Sequence, residues 1–242
     1  MKFYCCFFSS DHRRGLVDYT HLYARLVRQC ERFSLIPRGW TSDKLEVTDF
    51  WLAQKELLMY PRGAGYCIWK PMIMLHACSE SEEGDVVSYH DASVLFKEDP
   101  RPLLDAQTKA QDIYVIQTSF TNDDWTTDRC FKVMGCDSDK YRWARQLWAG
   151  TMAVRNTDRG RRFLLDWLCW LLNKEALLDN KDDKRDHPED SGRPNFNDHR
   201  CDQSILTNLA LKWGIQAQDN DVFCDDYHKD HDTNSNYVRY LP

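Results

Sequence analysis

No apolar run in this sequence approaches the roughly 18–20 residues that a bilayer span needs. The longest N-terminal run, Phe3–Phe8, is too short for a signal segment, and no small-residue cleavage site follows it. There is no CxxC pair among the ten cysteines, and their spacings fit neither a zinc site nor a small disulfide scaffold. Most of them lie inside apolar periodic segments, where a reduced cysteine behaves as a small hydrophobe. That usage places the chain in a reducing, cytoplasmic compartment. A basic surplus is also missing: 32 Lys and Arg stand against 38 Asp and Glu, a net charge of −6. The balance argues against a nucleic-acid partner. Neither a G-x-G-x-x-G nor a Walker loop occurs, and no internal repeat or composition break divides the chain.

What is present is a globular composition of 242 residues, 42% hydrophobic and 13% aromatic, enough to bury a core. The buried first strand Phe3–Phe8 ends at Ser9, Ser10 and Asp11. Leu22, Leu26, Cys30 and Phe33 recur at helical spacing between Asp18 and Phe33. Helices are predicted over Asp49–Met59, Lys70–Cys78, Pro102–Ala110, Asp123–Met134, Asp158–Leu178 and Cys201–Trp213. Strands are predicted over Asp85–Asp91, Asp112–Thr118 and Trp148–Arg155. This alternation predicts a single α/β domain over 1–242, with a mainly parallel sheet covered by helices on both faces. The chain is then one domain, or one domain of a longer protein. The Asp-, Lys- and Pro-rich stretch 179–197 reads as a mobile loop. Residues 215–242 read as a polar C-terminal extension.

Three constellations can carry chemistry. Asp91, in Tyr89-His-Asp-Ala-Ser93, is a carboxylate at a strand end, where ligands bind in such sheets. It suits a divalent cation that neutralises a diphosphate, or a plain turn cap. Arg62-Gly-Ala-Gly-Tyr-Cys-Ile-Trp-Lys-Pro71 combines glycines that let a ligand approach the backbone with the charges of Arg62 and Lys70. Trp69 packs a ligand ring or fills the core. His199-Arg-Cys-Asp-Gln-Ser204 opens a helix after the long loop, and reads as a lidded site or as helix caps.

Taken in order, Gly65-Tyr-Cys-Ile-Trp-Lys-Pro71, Gly84-Asp-Val-Val-Ser-Tyr-His-Asp-Ala92 and His199-Arg-Cys-Asp-Gln-Ser-Ile205 resemble segments of the GT-A nucleotide-sugar glycosyltransferases. The likeness, from about residue 3 to about 215, is to the small enzymes of bacterial capsule and lipopolysaccharide clusters and of algal viruses. Trp148-Ala-Gly-Thr-Met-Ala-Val-Arg-Asn156 resembles the Asn-Ala-Gly strand of the family 8 retaining galactosyl- and glucosyltransferases. Asp202-Gln203 resembles their Asp-Gln-Asp.

The resemblance implies transfer of a hexosyl or deoxyhexosyl group from a nucleoside-diphosphate sugar, UDP-linked, to a glycan hydroxyl, with retention. It implies Mn²⁺ or Mg²⁺, with Asp91 as metal ligand and His228 as a second candidate beside Asp225 and Asp226. Lys70, with Arg62, would face the leaving diphosphate. Asp202 and Gln203 would face the sugar. Ser9, Ser10, Trp69, Ala92, Ser93, Gly150 and His199 would line the donor site. One departure is plain. Where the family pattern is Asp-x-Asp, this chain has Asp91-Ala92-Ser93, and Ser is a poor metal ligand. Metal independence therefore stays open. So do a nucleotide-sugar binding module without catalysis, a scaffold protein and a nucleotidyltransferase.

Overall fold

The computed structural model describes residues 1–11, 18–179 and 193–219. His228, Asp225 and Asp226 lie outside the described residues, as do most of 179–197 and 215–242. Five strands form one sheet: β1 (Phe3–Ser9), β2 (Ile36–Thr41), β3 (Val86–His90), β4 (Ile113–Thr121) and β5 (Arg145–Arg155). Their spatial order is β2-β1-β3-β5-β4. β2, β1 and β3 pair in parallel, whereas β5 pairs antiparallel with both β3 and β4. Four strands therefore share one direction, and β5, read from sequence as one more parallel strand, is reversed.

The helices are α1 (Thr20–Arg32), α2 (Ser42–Glu46), α3 (Asp49–Leu58), α4 (Gly63–Tyr66), α5 (Trp69–Ser79), α6 (Arg101–Gln111), α7 (Asp128–Val133), α8 (Asp139–Arg142), α9 (Asp158–Leu171), α10 (Lys174–Leu177) and α11 (Asp202–Trp213). β1 shows why the first apolar run has no polar alternation. Tyr4, Cys6 and Phe8 enter one core and Cys5 and Phe7 the other, one on each face of the sheet. Leu22, Leu26 and Cys30 of α1 are buried against the second core, as their spacing requires.

Several elements differ from the sequence reading. The helix expected over Asp123–Met134 is a single 3₁₀ turn, Asp123–Trp125, followed by α7, and β5 begins at Arg145 rather than Trp148. β2 was not foreseen, because Pro37 and Gly39 break the strand pattern. It lies at the sheet edge, where a residue without N–H is tolerated. The long helix expected over Asp158–Leu178 stops at Leu171, and the Asn173 side chain accepts a hydrogen bond from the Glu175 amide to cap the separate α10. All nine described cysteines are free thiols. Among the described residues, no helix is long and apolar enough to cross a membrane.

His90 ends β3 fully buried, between Ser88 Oγ at 3.1 Å and Thr151 Oγ1 at 3.3 Å. Burial lowers its pKa to about 3. The unfolded chain takes up this proton near the ordinary value of 6.5, and the folded chain refuses it until far lower pH. The stabilisation is thus complete above about pH 6.5 and is lost as pH falls toward 3. Urea unfolding at pH 7 and at pH 5 should show this histidine alone contributing about 2 kcal/mol of the loss. His90→Gln should remove that share of the pH dependence.

Candidate active site

A cleft of about 310 Å³ opens beside the carboxyl ends of β1 and β3. Ten of the thirteen residues expected from sequence line it: Ser10, Arg62, Trp69, Lys70, Asp91, Ala92, Ser93, Gly150, Asp202 and Gln203. Segments far apart in the chain are therefore neighbours in space. Phe8, Tyr19, Pro61, Gly63, Ala64, Tyr66, Cys67, Tyr89, Trp148, Ala149, Arg200 and Cys201 complete the lining. Sequence reasoning missed these, although most sit within two residues of a motif residue.

Lys70 is the centre of the site. It stands in the first turn of α5, and its side chain is 5% exposed. Its Nζ lies 2.9 Å from Asp202 Oδ2 and 3.3 Å from Asp91 Oδ1, and donates to the Ala149 carbonyl at 3.0 Å. Burial works against the ammonium, but Asp202 and Asp91 outweigh it and hold its pKa above the ordinary lysine value. Asp202 opens α11 and is mostly buried. Burial raises its carboxyl above the ordinary range, with Lys70 opposing. Its Oδ2 contacts Lys70 off the hydrogen-bonding direction and has no hydrogen bond. Asp91 is more open, with 37% of its side chain exposed, and its Oδ1 accepts the Tyr89 hydroxyl at 2.5 Å. Burial and the Asp91 charge both push the Tyr89 phenol well above its usual pKa, so it stays a donor.

The backbone is shaped for this cleft. Gly63 through Cys67 all have positive φ, so α4 is a left-handed turn. Gly65 is required there at φ 91°, because a Cβ would stand 2.6 Å from Leu58 Cα. In β5, the pairs Val115–Met152 and Gln117–Leu147 show β4 advancing two residues while β5 advances five. Leu147 and Ala149, then Met152 and Val154, all face the same core, so the alternation slips at Gly150. The slip turns both Ala149 and Gly150 to the cleft, and the Gly150 carbonyl accepts the Asp91 amide at 2.8 Å. A side chain at Gly150 would strike the Trp148 indole at 2.5 Å.

Several expected roles are corrected. Ser9 is fully buried and does not line the cleft. His199 is 1% exposed and also away from it. Its Nδ1 accepts the Thr127 amide, so its Nε2 donates to the Ala176 carbonyl at 2.9 Å, and burial lowers its pKa to about 4. It braces the wall. Gln203 lines the cleft, but its amide is engaged on both sides, donating to Gln146 Oε1 at 2.8 Å and accepting the Ala149 amide at 3.3 Å. It fixes α11 to β5. Arg62 binds Asp179, Asp198 and the His199 carbonyl, so its charge ties chain segments together. Trp69 packs on Phe8 with centroids 4.2 Å apart, so it is core with an edge in the cleft.

A divalent cation fits these residues poorly. Among the described residues, no group of three His, Cys, Asp or Glu side chains could hold a metal. The point between Asp91 and Asp202 is taken by the Lys70 ammonium, and Asp91 Oδ1 is already covered by Tyr89.

No protein-family profile and no curated protein matches the chain. Solved structures similar to it include mouse xyloside xylosyltransferase 1, with a TM-score of 0.43 and 9% identity, covering 100% of this chain and 95% of that one. A glycosyltransferase involved in glycosylation of the PBCV-1 major capsid has a TM-score of 0.36 and 11% identity, covering 70% and 67%. A putative glucose-1-phosphate thymidylyltransferase from Bacillus anthracis has 0.39 and 6%, covering 90% and 87%. At these scores the likeness is one of overall shape.

Gly65→Ala should destabilise the fold by about 2–5 kcal/mol, from left-handed strain and overpacking together. Urea unfolding at neutral pH measures it, with the cleft's tryptophan fluorescence as a local probe.

Proposed function

We propose that this cleft is the active site of a glycosyltransferase, moving a sugar from a nucleoside-diphosphate donor, UDP-linked, to a glycan hydroxyl. One observation carries the reading. The three motifs that resemble glycosyltransferase segments converge on one cleft at the strand ends, and Lys70 joins two of them through Asp91 and Asp202.

The arrangement suits the chemistry. Cleavage of the sugar–phosphate bond builds positive charge on the sugar and negative charge on the leaving diphosphate. Asp202 offers a buried carboxylate oxygen without a hydrogen bond, able to accept a sugar hydroxyl or face the cationic carbon. Lys70 works against the burial that raises the Asp202 pKa. The first turns of α5 and α11 both open onto the cleft and direct their positive ends at an anion there. Tyr19 and Trp148 supply ring surface for a base or sugar. Transfer is assigned the retaining course, with Asp202 on the sugar face away from the diphosphate.

A panel of nucleotide sugars tests this, with product anomers read by proton NMR. One donor should be consumed, and the product should keep the donor's anomeric configuration. Asp202→Asn should lower kcat by about 100-fold or more, as for loss of one preorganised stabilising group, while donor binding changes little. Inversion would overturn the stereochemical assignment, and full activity in Asp202→Asn would overturn its role.

A further inference from the structure

Resting on the glycosyltransferase reading, we infer that the chain binds its donor's diphosphate without a divalent cation. The Lys70 ammonium stands between Asp91 and Asp202 as the fixed positive charge that such an ion would otherwise provide. Four observations converge on this.

The first is position. Lys70 Nζ lies within 3.3 Å of carboxylate oxygens from both walls, the end of β3 and the start of α11. A cation bridging those two carboxylates would have to displace it. The second is the ligand supply. Hard divalent cations take several oxygen donors, usually one or two carboxylates plus water and phosphate. Among the described residues, Asp91 Oδ1 already receives the Tyr89 hydroxyl, the second acidic position of the Asp-x-Asp pattern is Ser93, and no group of three His, Cys, Asp or Glu side chains could hold an ion. The third is permanence. Lys70 is buried, its charge is held by two carboxylates, and the Ala149 carbonyl takes a further N–H. Such an ammonium is as fixed as a bound ion.

The fourth is the helix ends. Among the charged side chains of the lining, Arg62 is already neutralised by Asp179 and Asp198, so side-chain charge alone leaves no positive excess. The first turns of α5 and α11 supply partial positive charge at the cleft instead.

The inference makes an unusual prediction for the lysine. Removing it leaves two carboxylates facing one gap, which is the beginning of a cation site. Lys70→Met, close in length and able to stay buried, should therefore turn a metal-indifferent protein into a metal-requiring one.

Titration calorimetry of the full chain with UDP, GDP, CDP and TDP tests this in EDTA, and again with Mn²⁺ or Mg²⁺. One nucleotide should bind in EDTA, its affinity changing less than about threefold when metal is added. Lys70→Met should bind it at least tenfold more weakly in EDTA and regain affinity with Mn²⁺. Electron paramagnetic resonance of Mn²⁺ gives a second readout. Wild type with nucleotide should deplete the free-ion signal no further than the nucleotide alone does, and Lys70→Met with nucleotide should deplete it further. Wild-type binding that EDTA abolishes and Mn²⁺ restores overturns the inference and leaves the glycosyltransferase reading standing. Binding of no nucleoside diphosphate in any condition overturns both. If Lys70→Met does not fold by circular dichroism, the wild-type arms decide alone.

Discussion

The cleft is organised around one nitrogen. An ammonium removed from water loses several kcal/mol of hydration, and only close counter-charge and hydrogen bonding offset that loss. Lys70 finds both, but on three different elements. Asp91 directly follows β3, Ala149 lies in β5, and Asp202 begins α11. Lysine itself belongs to α5, so four elements meet at a single charge. None of them can shift without uncovering it. Buried ion pairs are poor sources of stability against apolar packing of equal volume. Their value lies in fixing geometry, and here they fix the two carboxylates that face the cleft.

Other strained features gather at the same place. Six described residues other than glycine have positive φ, and Ala64, Tyr66, Cys67 and Cys201 line the cleft. Each such conformation costs on the order of 1–3 kcal/mol. The slip in β5 also falls there, beside Gly150. The rest of the molecule is ordinary by comparison, with apolar residues packed on both faces of a regular sheet. Stability comes from those two cores, and the cleft draws on it. That division explains why the motif segments look unlike their neighbours in sequence. Gly63-Ala-Gly-Tyr-Cys67 has no periodicity because its backbone follows neither a right-handed helix nor a strand.

The same division decides what was legible in the sequence. Residues that define the site by type were readable: a lysine before a proline in a helix start, a carboxylate after a buried strand, an Asp at another helix start. Ser9 and His199 were not, because a polar side chain in a motif carries no mark of whether its partners are inside the protein. His199 satisfies both ring nitrogens within the wall, through Thr127 and Ala176. Gln203 does the same through Gln146 and Ala149. Tyr89 was overlooked for the opposite reason. It reads as a core aromatic, and it is one, yet its hydroxyl reaches Asp91. The direction of β5 was hidden as well, since a strand buried on both faces looks alike whichever way it runs.

These internal commitments narrow what a ligand can use. Arg62 is held by Asp179 and Asp198, Gln203 by its two amide partners, and Lys70 by two carboxylates and a carbonyl. Polar groups so engaged act on a ligand through their field and through the shape they impose. The side chain of Asp202 differs, because its buried Oδ2 has charge but no hydrogen bond. That oxygen is ion-paired with Lys70 at 2.9 Å but has no aligned donor, a state in which a ligand hydroxyl can still be accepted. The proposed sugar transfer would bring such a hydroxyl. The groups already satisfied thus set the frame, and the oxygen without an aligned donor is where a ligand can add a hydrogen bond.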